Sequence, residues 1–187
     1  EYLIFQDLKF RHRLTSDSIA NSLSRRKAMT PIFDRIDSVL IDSFKDLNST
    51  IGGFILFPGN RIDGAATING ERGLNYFIAD RFDLTLECIR LQYSNIENPL
   101  SRVFSRYKEF FHLFDSFSGY VDFFLLNDLV TEDYTVVKFF NLISNPLGES
   151  PIPTTVENYM EYRDKSMRFT ELRNQRIGQW ANTGQSF

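Results

Sequence analysis

Apolar positions along this chain change their period several times, and each change marks an element. The clearest stretch is residues 100–114. There Leu100, Val103, Phe104, Tyr107, Phe110, Phe111 and Phe114 recur at helical spacing and predict an amphipathic helix. Residues 31–47 give a second one. Thr30 can cap it, Pro31 suits its first turn, and Ile32, Phe33, Ile36, Val39, Leu40 and Phe44 form the stripe. Residues 74–93 predict a third helix. Ile78, Phe82, Thr85, Leu86, Ile89 and Tyr93 share one face and Leu84 and Leu91 another, so contact from two directions is expected. Residues 120–129 are apolar nearly all round, as in a central helix, and Thr131 can cap a short helix through Phe140 and Leu142. A final helix, capped by Thr154 or Thr155, runs to about Trp180.

Residues 51–57 break the helical rhythm. They form a short run of β-formers between glycines and read as a strand. Pro58-Gly59-Asn60 is a turn, residues 65–68 a returning strand, and Asn69-Gly70 the next turn. Residues 1–14 alternate loosely and read as a strand or lead-in; residues 15–28 carry only a weak helix signal. Pro146, Gly148, Pro151 and Pro153 mark a linker. The expected architecture is mainly α: about six helices with a small β-hairpin, in one domain over residues 1–187. Residues 1–50 form its N-terminal helical part, 51–143 its central core, and 144–187 the linker and C-terminal helix.

Composition sharpens this in three ways. Nineteen phenylalanines and eight tyrosines predict an aromatic core. A net charge of −3 excludes a global basic field of the kind that holds nucleic acid non-specifically. One cysteine and two histidines exclude a disulfide framework and a cysteine-based zinc site within the chain. The longest apolar run, residues 121–130, is interrupted by Asp122, Asn127 and Asp128, so no membrane span is expected. No secretory leader is visible in the residues given, and a cytoplasmic location is the expectation.

Candidate chemistry concentrates in residues 52–90, where six of the ten glycines fall among charged residues. Gly59 and Gly64 have the spacing of a phosphate loop, but Ala65 and Ala66 follow in place of Lys-Ser/Thr, which excludes that motif. Arg61, Arg72 and Arg81 are the anion-binding candidates; the competing reading pairs them with Asp63, Glu71 or Asp80. Asp80, Asp83, Glu87 and Arg90 share one face of the expected helix. Asp83 and Glu87 could hold a divalent cation or move protons, or the stripe is a solvated face. Asp122, in an apolar stretch with Asn127 and Asp128, needs partners and is a general-base candidate, with Arg61, Arg72 or Arg81 as natural counter-ions. Cys88 reads as a small buried residue.

Arg106 and His112 resemble the Arg/His pair of helical ribonucleases of the HEPN type. Tyr107 departs from that pattern, and six residues place the two side chains about 120° apart on an ideal helix. More extensively, IGGFILFPGNRIDG, TINGERG, IADRFDLTLECIR, NPL, RYKEFFHLF and GYVDFFLLNDLV together resemble a family of uncharacterised bacterial proteins, over about residues 50–130. That resemblance implies a cytoplasmic bacterial protein and no particular activity.

The working expectation is a polar cleft walled by residues 57–72 and 80–90, with Asp122 beneath it, that binds an anionic small molecule or nucleotide-like ligand. The alternatives are a nucleic-acid-acting toxin or defence protein that uses the basic entry region (Arg11, His12, Arg13, Arg25, Arg26 and Lys27) with Arg106 and His112 as a further candidate pair, and an interaction module without catalysis. Cofactor, metal and oligomeric state stay open.

Overall fold

The computed structural model describes residues 46–47, 49–149, 151 and 156–183. The strand or lead-in expected at 1–14, the basic entry region and the helices expected at 15–28 and 31–47 fall outside these, except that Asp46 and Leu47 are helical. The described part is mainly helical, with six α-helices: α1 (Ile68–Leu74), α2 (Phe82–Tyr93), α3 (Ser101–Arg106), α4 (Lys108–His112), α5 (Phe117–Phe123) and α6 (Val156–Asn182). Short 3-10 turns occupy Ile51–Gly53 and Asn127–Leu129.

The expected β-hairpin is not there. Residues 54–57 form no strand, and the expected returning strand at 65–68 is irregular up to Thr67 and helical from Ile68, the start of α1. The reason is local. Thr67 has extended backbone and its Oγ1 accepts the Gly70 N–H at 3.2 Å, an N-cap that turns Asn69-Gly70 into the first turn of a helix. Among the described residues the β-bridge lies elsewhere, between Val130 and Val137. It closes an irregular loop where a short helix after Thr131 was expected.

The single helix expected over 74–93 is two. Asn75 ends α1: its Oδ1 accepts from the Phe77 N–H and its Nδ2 donates to the Pro99 carbonyl. Ala79 and Asp80 then sit at φ 50° and 61°, a left-handed pair that no helix contains. The Asp80 N–H donates to the Arg72 carbonyl, so the reversal folds α2 back on α1. The long helix expected over 100–114 also splits, at Tyr107 (φ −111°, ψ 29°). Its apolar stripe survives the break, with Leu100, Val103, Phe104, Tyr107, Phe111 and Phe114 all buried. The helix expected over 120–129 starts earlier and stops at Phe123. Ser116 caps α5 through the Gly119 N–H, and a Cβ at Gly119 would lie 2.1 Å from the Phe114 carbonyl oxygen, so only glycine fits.

The core is aromatic. Tyr120 on α5 is fully buried among Tyr93, Phe110, Phe111, Phe114 and Phe124, with ring centroids 4.7 to 6.5 Å apart. Helix α2 threads the middle, burying Leu84, Leu86, Cys88 and Ile89. Helix α6 closes the other side, packing Tyr162 and Phe169 on Phe140 and Phe82. Its seat on residues 50–54 is polar. Asn174 accepts the Gly52 N–H and donates to Thr50 Oγ1. Arg173 donates to the carbonyls of Gly52, Phe54 and Phe124. Arg176 pairs with Asp128 at 2.6 Å.

Candidate functional site

Six of the charged residues singled out in the sequence pair with one another along and just before α2. Arg81 and Asp83 flank the start of α2 and form a two-pronged ion pair, Nε to Oδ1 at 3.0 Å and a terminal guanidinium nitrogen to Oδ2 at 2.5 Å. Both are buried, at 1% and 0% exposure. The remaining capacity of each is also used. Arg81 donates to the Pro151 carbonyl and lies over the Tyr162 ring, while Asp83 accepts the N–H groups of Leu84 and Phe140. Burial works to lower the Arg81 pKa, and the Asp83 carboxylate overrides it, so the net shift is upward.

Arg72, on α1, forms a second knot. It pairs with Asp80 at 2.8 Å, donates to the Asp80 carbonyl and donates through Nε to Thr85 Oγ1. Thr85 in turn donates to the Arg81 carbonyl, which joins the two knots. Glu87 and Arg90 form a forked pair at 2.7 and 2.8 Å on the half-buried side of α2, and that bond raises the Arg90 pKa. The acidic stripe therefore does not share one helical face, because Asp80 precedes α2 and Asp83 points inward. Among the described residues no group of three His, Cys, Asp or Glu side chains could hold a metal ion.

Arg61 stands apart from the other two arginines, exposed on the glycine-rich loop. That loop is laid against α3 and α4. Tyr107 donates to the Asn60 carbonyl, Arg106 to the Ala66 carbonyl, and Phe57 meets Phe110 edge-on. Asp122 does not meet the arginines expected to partner it. It is exposed on α5 and accepts from Asn127 Nδ2 at 2.7 Å and from the Tyr134 hydroxyl at 2.8 Å, and among the described residues no arginine pairs with it. Cys88 is buried in α2, and burial pushes its thiol pKa up, away from nucleophilic use.

Among the described residues, a cleft opens at the other end of α2. It encloses about 330 Å³ and is lined by Gln92, Tyr93 and Asn95 from that end and by Lys108, Phe111, His112 and Asp115 from α4 and the turn after it. Tyr93 is fixed by donating its hydroxyl to the Phe111 carbonyl. Lys108 and His112 are largely exposed and reach Glu109 only at 3.9 and 3.8 Å. Of these residues only His112 is a candidate for chemistry in the sequence; Tyr93 and Phe111 are expected there as apolar helix positions. Lys108 lies four residues before it, on the same face, and that spacing was the available signal. Gln92, Asn95 and Asp115 come from segments that only the tertiary fold brings to α4. Arg106 does not join His112 here, because its guanidinium faces Ala66 and, at 3.7 Å, Glu71.

The chain belongs to a family described as a family of unknown function (DUF6994), whose model matches residues 1–177. No curated protein and no solved structure matches it. No described helix is long and apolar enough to cross a membrane.

Proposed function

We propose that the protein binds a small anionic or nucleotide-like molecule, and that the cleft between the end of α2 and α4 receives it. One observation carries this reading. Lys108 and His112 share the cleft with the amides of Gln92 and Asn95 and with Asp115, and among the described residues neither is held in a short ion pair. An ammonium beside an imidazole suits a phosphate or carboxylate, the amides offer donors and acceptors to a polar ring or sugar, and Phe111 and Tyr93 supply an apolar floor. The arginines of the earlier expectation are less suited to the role. Arg72 and Arg81 already hold carboxylates, so an incoming anion would have to displace a partner from a buried site.

Thermal shift tests this with ADP, inorganic phosphate and neutral adenosine. A ligand at a hundred times its Kd stabilises the native state by about 2.7 kcal/mol, enough to move the melting point by several degrees. The expected result is a shift with ADP that is lost in Lys108→Ala and in His112→Ala and kept in Arg61→Ala. Loss in Arg61→Ala with retention in Lys108→Ala would return the anion to the glycine-rich loop and refute the cleft. The ribonuclease alternative would also rest on His112, as an acid–base group without Arg106. RNA cleavage by the wild type that disappears in His112→Ala and survives in Arg106→Ala would favour it.

A further inference from the structure

The cleft at the finish of α2 holds one carboxylate, Asp115, beside its two cationic residues, and that combination narrows the ligand. Asp115 is exposed in the turn between α4 and α5, and among the described residues its carboxylate makes no hydrogen bond or ion pair. The main chain fixes its place. Asp115 is left-handed (φ 58°), its N–H returns to the His112 carbonyl at 3.4 Å, and the Ser116 N–H returns to the Phe114 carbonyl at 2.6 Å. Its carboxylate lies on the Tyr93 side of the cleft: burial first, and the Asp115 charge after it, push the Tyr93 pKa up.

The two walls are electrically unlike. Lys108 and His112, one helical turn apart on α4, supply the cationic side. The other wall is the C-terminal end of α2, where Asn95 (φ 55°) reverses the chain and the Ile96 N–H bonds the Leu91 carbonyl. A helix C-terminus carries partial negative charge. Together with Asp115 it repels an anion and attracts hydrogen-bond donors. A ligand is thereby oriented, with its anionic group towards Lys108 and His112 and a donor-bearing end towards Asp115.

Resting on the reading that this cleft takes a nucleotide-like ligand, we propose that the base it selects is guanine, held by Asp115. Guanine presents its N1–H and its 2-amino group side by side, two parallel donors that match the two oxygens of one carboxylate. Adenine turns an unprotonated N1 to the same place, where its lone pair faces the carboxylate. Cytosine and uracil offer a single donor each on that edge. The remaining guanine acceptors, O6 and N7, suit the amide N–H groups of Gln92 and Asn95. A volume of about 330 Å³ falls within the range of small-molecule sites.

Calorimetric titration of the full chain with GDP, IDP, XDP and ADP tests this. GDP should bind roughly tenfold to a hundredfold more tightly than ADP, the discrimination of one bidentate base contact. IDP, which lacks the 2-amino group, should fall between them. Asp115→Asn should lose the preference for GDP and gain one for XDP, because a carboxamide N–H can donate to the xanthine 2-oxo group. Asparagine also suits left-handed backbone, so this variant should melt at the wild-type temperature. The GDP-to-IDP ratio of the wild type tests the same pairing without any substitution. Lys108→Ala should weaken all the diphosphates alike. Equal binding of GDP and ADP, both weakened by Lys108→Ala, would overturn the guanine assignment and leave the anion cleft standing. So would IDP binding as tightly as GDP, or an Asp115→Asn variant that keeps the GDP preference or gains none for XDP. No binding of any diphosphate, or binding untouched by Lys108→Ala, would overturn the cleft and the guanine assignment together.

Discussion

The two ends of α2 use the same kinds of residue for different purposes. At its start, Arg72, Asp80, Arg81 and Asp83 form buried pairs whose further bonds reach Thr85, Phe140, Pro151 and Tyr162. At its finish, Lys108 and His112 stand at a cleft with only long contacts to Glu109. The first set holds the chain together and has little capacity left over. The second makes only long contacts to Glu109, which under the proposed function leaves it available to a ligand. A charged residue's burial and partners, more than its type, decide which role it takes.

The largest expected effect comes from breaking the buried end. Asp83→Ala strands the Arg81 guanidinium and the Phe140 N–H, and should destabilise the protein by about 3–5 kcal/mol in urea unfolding. A loss under about 1 kcal/mol would show that water reaches this pair, and the contrast between the two ends would collapse.

Tyr120→Phe comes next and has the opposite sign. The Tyr120 hydroxyl is buried without a hydrogen-bond partner among the described residues, and burial pushes its pKa up. Removing that oxygen should raise stability by about 1 kcal/mol, since it relieves the desolvation of an unpaired polar group. A loss of stability would reveal a water or other partner held in the aromatic core.

At the open end, Lys108→Ala and His112→Ala should each change unfolding free energy by no more than about 0.5 kcal/mol, while abolishing any ADP-induced shift. A destabilisation comparable to that of Asp83→Ala would mean the cleft is structural and would erase the distinction.

The smallest effect is a titration. Asp133 is fully exposed, and bonds from Thr131 and Thr135 hold its pKa down at about 2 from an ordinary 3.8. The unfolded chain therefore takes up this proton first as pH falls. The contribution is complete above pH 3.8 and is lost as pH falls towards about 2. Acid unfolding should begin at slightly higher pH in Asp133→Asn than in the wild type if the carboxylate bonds matter. Coincident curves would show that they do not.

Sequence periodicity captured what depends on local repetition. The 100–114 stripe, the aromatic core and α6 were legible because burial follows a single helical face. Periodicity missed events set by one atom or by distant partners. Thr67 Oγ1 converts Asn69-Gly70 from a hairpin turn into helix, and the left-handed Ala79-Asp80 pair divides the expected 74–93 helix. The candidate charges were visible as charges, but not their saturation. The Asp83 carboxylate meets the Phe140 N–H across 57 positions and Arg81 meets the Pro151 carbonyl across 70, separations that no local pattern encodes.

Gly52 shows how little slack the C-terminal helix has. A Cβ there would lie 2.6 Å from both Asn174 Oδ1 and the Thr170 carbonyl oxygen, so α6 rests on bare main chain. A single methyl at this point would act as a wedge, lifting the helix and pulling the Arg173 guanidinium from Gly52, Phe54 and Phe124 together. Position 52 thus works as the molecule's feeler gauge: the thickness of one residue sets the spacing at which its two remote halves lock.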